Sequence, residues 1–451
     1  MLSTAANRYA KISARAWFVV ILAGALAACV STPTDSNRGQ WPTPASVAVS
    51  KTGFSTAGIA ALDAKMKQAV DKQEVSGIVW LLARHGQVAA FNAHGVQSFE
   101  TSAPMTADSL FRIYSMTKPV TGVAMMQLYE KGLWKLDDPV TKFVPELASL
   151  KVYKGKDAAG NEILVNVNRP ATMREIMTHT AGFGYGLSAG NPVDDAFAKL
   201  NPLGTADMKS MIDTVAQLPL LAQPGERWSY SIAVDIQGLI VERLSGEKFG
   251  AYLSSHILKP LSMNETRFFL EEKDRARLPS VYQWDRTASK LQVFPDPEAR
   301  GFFKANHVES GGGGLVSTTH DYARFAQMLL NKGELDGARI LKPESIELMS
   351  QNHIGELRIF SDGNRPTTTG QAGTGFGLDF AVVTDPAAAN SKQGVGSYYW
   401  FGIAGTWFWI DPKNDLFFVG MIQRRGGAGQ GAVNFRVDSI KLVYEALQAD
   451  K

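Results

Sequence analysis

A serine and a lysine spaced by three form the most chemically suggestive arrangement in the chain. Ser115-Met116-Thr117-Lys118 opens a long apolar-periodic run. Three residues is close to one helical turn, so Ser115 and Lys118 share one face of the first turn. A serine hydroxyl is a weak nucleophile until a neighbouring base takes its proton. A lysine ammonium beside it eases ionisation of a nearby phenol, or acts itself once deprotonated. Backbone N–H groups at a helix start are free to face an oxyanion. Pro119 is tolerated because it falls within that first turn. Two other serines compete. Ser245-Gly246-Glu247-Lys248 repeats the spacing, and Gly186-Leu187-Ser188-Ala189-Gly190 matches the Gly-x-Ser-x-Gly nucleophile elbow.

Local context sorts them. An elbow needs a strand before its serine and a helix directly after, whereas Ser188 lies between Gly182-Phe183-Gly184-Tyr185 and Asn191-Pro192, which form loops. Ser245 ends a helix against Gly246, which places Lys248 in the following turn. Only Ser115 opens a helix with its lysine one turn inside. A base is still required. Pro224-Gly225-Glu226-Arg227-Trp228-Ser229-Tyr230-Ser231 delivers Tyr230 from a turn to the expected start of a helix. A phenol is a poor base at neutral pH. A lysine ammonium and a helix N-terminus nearby would favour its phenolate.

The elements that must position these residues follow from periodicity. Ile59, Leu62, Met66 and Val70 are spaced by three and four, predicting a helix over 58–75. Residues 77–84 read as a buried strand, turned by His85-Gly86 into a second arm over 88–95. Helices are expected from Ser115 to Lys131, after the capping box Thr172-Met173-Arg174-Glu175, and over 206–218, 230–244, 320–331 and 433–447. Strands are expected over 375–383, 398–403, 406–410 and 416–423. Gly311-Gly312-Gly313-Gly314-Leu315 marks a close backbone approach. Strands near both ends with helices between them predict a sheet lobe and a mainly helical lobe, the latter over roughly 121–300.

The chain has 451 residues, 45% of them hydrophobic, enough for a large core. Its formal charge of +3 disappears when residues 1–28 are set aside, leaving 43 basic and 43 acidic residues. A broad basic field for nucleic acid is therefore excluded. Within 1–28, Arg8, Lys11 and Arg15 precede the apolar run Ala16–Ala28, which is short for a membrane span and suits a signal peptide. The run ends Leu26-Ala27-Ala28-Cys29, which resembles a bacterial lipobox with lipidation of Cys29. Cys29 is the single cysteine, so no intrachain disulfide can form. Val30, rather than an aspartate, follows it, and by that resemblance we expect an exported, periplasmic lipoprotein retained at the outer membrane. Residues 29–54 read as a flexible tether, with the hydrolase domain spanning 55–450.

Taken together, Ser115-Met116-Thr117-Lys118, Tyr230-Ser231-Ile232 and Trp400-Phe401-Gly402 resemble, in order and spacing, the three motifs of the serine β-lactamase and penicillin-binding-protein superfamily. The chain looks most like class C β-lactamase relatives and family VIII carboxylesterases. The resemblance implies an α/β (α+β) β-lactamase-like fold, with an antiparallel sheet flanked by helices plus the helical lobe. It implies Ser115 as nucleophile, Lys118 and Tyr230 as its activating pair through a hydrogen bond, and the backbone N–H groups of Ser115 and Ile403 as the oxyanion hole. Trp400, Gly402 and Ile232 fall at substrate-binding positions. No metal or cofactor is implied. His179 and the 311–315 segment are read as structural. The family's second motif usually ends in asparagine, where Ile232 stands, and the third usually begins with lysine, where Trp400 stands. Both changes make the site more apolar and less suited to substrates carrying a carboxylate, unless Arg424 or Arg425 reaches it. The expected activity is hydrolysis of small-molecule carboxylic esters, with slow β-lactam hydrolysis as a side activity. The alternatives are a β-lactamase, a D-alanyl peptidase or amide hydrolase, or a non-catalytic sensor of penicillins or cell-wall fragments.

Overall fold

Strand-forming runs rich in branched and aromatic residues assemble one antiparallel sheet in the computed structural model of the protein. The structure describes residues 41–42, 48–295, 299–303, 307–360, 371–427, 429 and 432–448. The signal-peptide and lipobox readings, including Cys29, and residues 30–40 of the tether lie outside these. The described residues all fall in the unit Gly39–Lys451. The strands of the sheet are β1 (Gly77–Arg84), β2 (Gln87–Gly95), β3 (Thr374–Phe376), β4 (Ala381–Val383), β5 (Tyr398–Phe401), β6 (Trp407–Asp411) and β7 (Leu416–Met421), in the order β3-β4-β5-β6-β7-β1-β2. The helices needed below are α1 (Thr56–Asp71), α2 (Thr117–Glu130), α3 (Met173–Met177), α4 (Pro192–Leu200), α5 (Met208–Val215), α6 (Ala233–Ser245), α7 (Thr319–Leu330) and α8 (Phe435–Ala446).

The sheet is buried on both faces, and β6 shows why its sequence is continuously apolar rather than alternating. Trp407 and Trp409 point to one face, where their rings meet Phe435 and Tyr444 of α8. Phe408, one residue out of phase, points to the other and meets Tyr322 of α7 at 5.2 Å. Trp400 on β5 is paired with Phe408 and shares its face.

Local signals set several boundaries. The β1–β2 turn holds His85 and Gly86 at φ 53° and 68°, the left-handed pair that a two-residue hairpin requires. Thr172 and Glu175 form the expected capping box on α3. Gly246 closes α6 at φ 75°. Two expectations are corrected. The single strand over 375–383 is a hairpin of β3 and β4, because the chain reverses at Asp379 with φ 71°. The helix expected from Tyr230 begins at Ala233, leaving Tyr230 in the preceding loop.

Helix α2 packs against α6 and the helical segment Phe249–Leu253, and every residue from Thr117 to Met126 is buried. A helix apolar on all sides must be enclosed on all sides. That enclosure holds Ser115 and Lys118 at a fixed place.

Candidate active site

Ser115 sits in a single 3-10 turn, Tyr114–Met116, that feeds directly into α2. Tyr114 holds φ at 42°, an uncommon conformation for a bulky residue. The turn is fixed on several sides. Tyr322 of α7 donates its hydroxyl to the Met116 carbonyl at 2.9 Å, and Thr117 Oγ1 accepts the Leu315 N–H at 3.1 Å. Thr121 Oγ1 donates to the Gly311 carbonyl at 2.8 Å. The glycine run can lie this close because it has no side chains to move aside. A Cβ on Gly311 would stand 2.5 Å from the Val234 carbonyl oxygen.

Lys118 is fully buried. Its Nζ donates to the Gly312 carbonyl at 2.7 Å and reaches Ser115 Oγ at 3.4 Å. Ser115 and Lys118 are therefore brought together as the spacing predicted. Behind Gly312 lies Asp235 of α6, also fully buried. Its Oδ1 accepts the Gly312 N–H at 3.0 Å and the Ser310 hydroxyl at 2.5 Å. Asp235 thus fixes the residue whose carbonyl holds Lys118. Burial raises its carboxyl above the usual range, opposed by Lys118 and these hydrogen bonds.

Tyr230 meets Lys118 differently from the expectation. The ammonium lies over the Tyr230 ring, 4.4 Å from its centroid, rather than donating a hydrogen bond to the hydroxyl. The loop position of Tyr230, outside α6, brings its ring face rather than its edge to the lysine. The Tyr230 hydroxyl is buried without a hydrogen-bond partner. His179, at φ 58°, packs on this tyrosine with ring centroids 4.8 Å apart. Its Nδ1 accepts the Ser231 N–H at 3.2 Å, so its proton belongs on Nε2, which has no partner. Burial, with Lys118 nearby, pushes His179 well below the ordinary histidine range and keeps it neutral. His179 orients the tyrosine loop, consistent with a structural reading, but it does so at the site itself.

A second tyrosine completes the cluster and escaped the sequence reading. Tyr185 also lies over Lys118, 5.1 Å from ring centroid to Nζ, and meets Tyr230 edge-on at 5.5 Å. Its hydroxyl faces Asp235. Asp194 of α4 holds its loop by accepting the Tyr185 and Gly186 N–H groups, each at 2.8 Å. The local signal for Tyr185 is the loop-forming Gly184-Tyr185-Gly186 run. Asp235 carried no local signal, since a buried helix acid is recognisable only from what it touches.

The third motif reaches the site through β5. Trp400 is buried and its ring lies 5.6 Å from that of Tyr230. Gly402 follows at the strand end, where a Cβ would lie 2.4 Å from Thr406 Oγ1 and 2.6 Å from the Ile113 carbonyl oxygen. Glycine is therefore required for β5 to abut the segment entering Ser115. Thr406 Oγ1 ties the two by donating to the Ile113 carbonyl at 3.2 Å. Ile403 heads the turn after Gly402, and among the described residues no backbone carbonyl takes the N–H of Ile403 or of Ser115. These are the two amides assigned to the oxyanion hole.

Other candidates fall outside the cluster. Ile232 is buried in the core, its N–H donated to the Gly184 carbonyl, and its side chain is not at an open surface. Arg424 is committed to the Glu74 carbonyl at 2.8 Å. Arg425 lies over the Phe294 ring, which packs beside Tyr114 and Ala404. Ser188 is exposed in a loop with no strand leading into it. Ser245 donates to the Val241 carbonyl, while Lys248 is paired with Glu242. Neither alternative serine has a base.

The Beta-lactamase family pattern matches residues 62–441. The chain is 35% identical to Protein Rv1367c of Mycobacterium tuberculosis over 370 residues, covering 80% of this chain and 88% of that protein. It is 32% identical to Esterase EstB of Burkholderia gladioli over 379 residues, covering 79% and 89%. Among solved structures, EstCE1, described as a hydrolase with promiscuous acyltransferase activity, superposes with a TM-score of 0.71 at 26% identity, covering 86% of this chain and 98% of that one. The matched span contains Ser115, Lys118, Tyr230 and the Trp400–Ile403 segment, and with the sheet-and-helix architecture around them it makes this chain a member of the Beta-lactamase family, on its esterase-like side.

Proposed function

We propose that the protein hydrolyses carboxylic esters through an acyl-enzyme on Ser115. The observation that carries this reading is Trp400, an apolar ring packed on Tyr230 beside an assembled Ser115–Lys118 pair, where a carboxylate-binding lysine would favour β-lactams. The similarity to EstB and EstCE1 supports the same reaction class.

The steps are those that the motif resemblance implies for these residues. Ser115 Oγ attacks the ester carbonyl carbon as its proton passes to Tyr230, whose phenolate is favoured by the Lys118 ammonium. The Ser115 and Ile403 N–H groups stabilise the oxyanion. Collapse expels the alkoxide, which takes the proton from Tyr230. Water then attacks the acyl-enzyme by the reverse proton path, releasing the acid and free Ser115.

Short p-nitrophenyl acyl esters measured against nitrocefin test the assignment. Ester kcat/KM well above that for nitrocefin is expected, and nitrocefin turnover far above every ester would overturn it in favour of a β-lactamase. Stable acylation without turnover would instead favour the sensor reading.

The lipobox-like Leu26-Ala27-Ala28-Cys29 supports export and anchoring at the outer membrane through lipidated Cys29. Metabolic labelling with a palmitate analogue should mark the full chain and be lost in Cys29→Ser. Labelling that persists would remove the anchor.

A further inference from the structure

We propose that Phe360 is a specificity-determining residue, the exposed aromatic face against which the alcohol portion of the ester packs. The inference rests on the ester reading above. Tyr230 delivers the proton to the leaving-group oxygen, so the alcohol portion must lie next to Tyr230 during bond cleavage. The groups packed on Tyr230 therefore bound the alcohol side of the site rather than the acyl side.

Those groups are rings. Trp228 stacks on Tyr230 at 6.0 Å and Trp400 tilts against it at 5.6 Å. Phe360 covers both, edge-on to Trp228 at 5.1 Å and stacked on Trp400 at 5.8 Å with planes 12° apart. The two tryptophans and Phe376 are closed off by this packing, with at most 4% exposure. Phe360 alone in this wall offers a broad apolar surface, 43% exposed.

The backbone supports a functional placement. Phe360 holds φ at 57°, a left-handed conformation unfavourable for a bulky residue. Such strain persists only where surrounding contacts over-determine it. Three ring contacts do so here, the third being Phe401 at 5.9 Å. The occupant that fits is an apolar, planar alcohol such as a phenol or naphthol, which can stack on the free side of Phe360.

The test uses esters with one acyl group, so that the acyl-enzyme is common. kcat/KM for 1-naphthyl butyrate is divided by that for ethyl butyrate in the wild type, Phe360→Gly and Phe360→Leu. Glycine suits the positive φ, so its variant removes the ring while relieving the backbone. The ratio should fall by about 3- to 10-fold in Phe360→Gly, the range of an aromatic contact, and by less in Phe360→Leu. An unchanged ratio overturns the proposal, as does an equal loss on both esters, which would mark a structural role. A rise in the ratio also overturns it, since the ring would then be a barrier. A wild type that turns over neither ester fails the ester reading itself. A wild type active on both with an unmoved ratio fails only the role of Phe360.

Discussion

Replacing Asp235 separates its hydrogen-bonding role from its charge. The carboxylate has no access to solvent and accepts two hydrogen bonds, from Ser310 and from the Gly312 N–H. Asp235→Ala leaves the buried Gly312 N–H and the half-buried Ser310 hydroxyl without this acceptor. Each such loss costs about 1–3 kcal/mol. Recovery of the desolvation penalty of the buried acid offsets part of this, for a net loss of roughly 2–4 kcal/mol. That is a large fraction of the roughly 5–15 kcal/mol by which domains are stable. The kinetic effect runs through Lys118, whose Nζ rests on the Gly312 carbonyl. A shift of about 1 Å at a catalytic group costs on the order of 100-fold. Asp235→Asn keeps an acceptor oxygen for both donors and should lose less than about 10-fold. Urea unfolding combined with kcat/KM on p-nitrophenyl butyrate reads both effects. Full activity with unchanged stability in Asp235→Ala would refute the reasoning. So would an Asn variant as impaired as the Ala variant, because charge rather than hydrogen bonding would then be what matters.

Further outcomes follow from the same geometry. Ser115→Ala should abolish covalent labelling by a fluorophosphonate, while Ser188→Ala and Ser245→Ala should retain it, as read by mass spectrometry of the adduct. Gly402→Val forces a side chain into the Ile113 carbonyl and Thr406, and ester kcat/KM should fall by about 100-fold or more as β5 moves from Ser115. His179 is held neutral by burial, its pKa depressed in the folded state. Its contribution to stability is therefore present above the ordinary histidine value of 6.5 and is lost as pH falls through the folded value. Thermal melts from pH 7 downward should show a shallower acid loss in His179→Asn than in the wild type. Asp379 is raised well above the usual range by burial. Its contribution is complete below the unfolded carboxylate value and lost as pH rises through the folded one, so Asp379→Asn should gain stability relative to the wild type at pH 9 compared with pH 5.

The parts of the site legible in the sequence were those with a local signature. Ser115 and Lys118 share a helix turn, so spacing alone put them on one face. The glycines 311–314 were legible as a close approach because glycine is used where a Cβ has no room, whereas the tight fit of Gly402 against Ile113 carried no such signal. Tyr230 was found from its turn, yet its contact with Lys118 was misjudged. Whether a phenol presents its hydroxyl or its ring depends on where α6 begins, and helix ends are set by caps and packing rather than by periodicity. The hairpin of β3 and β4 was read as one strand because Asp379 gives no warning of a left-handed turn.

By itself the sequence determined which serine carries a lysine one helical turn on at a helix start, the order of the three motifs and the alternation of strand and helix, because each rests on neighbours within a few residues. Only the tertiary structure decided what surrounds Lys118. Gly312, Tyr185 and the stretch holding Tyr230 and Asp235 come from three separate segments, and burial turns their proximity into strong electrostatics by excluding water. The same holds for the aromatic wall. Trp228, Phe360 and Trp400 are far apart in the chain, and only the packing of β5 against the helical segments makes them one surface.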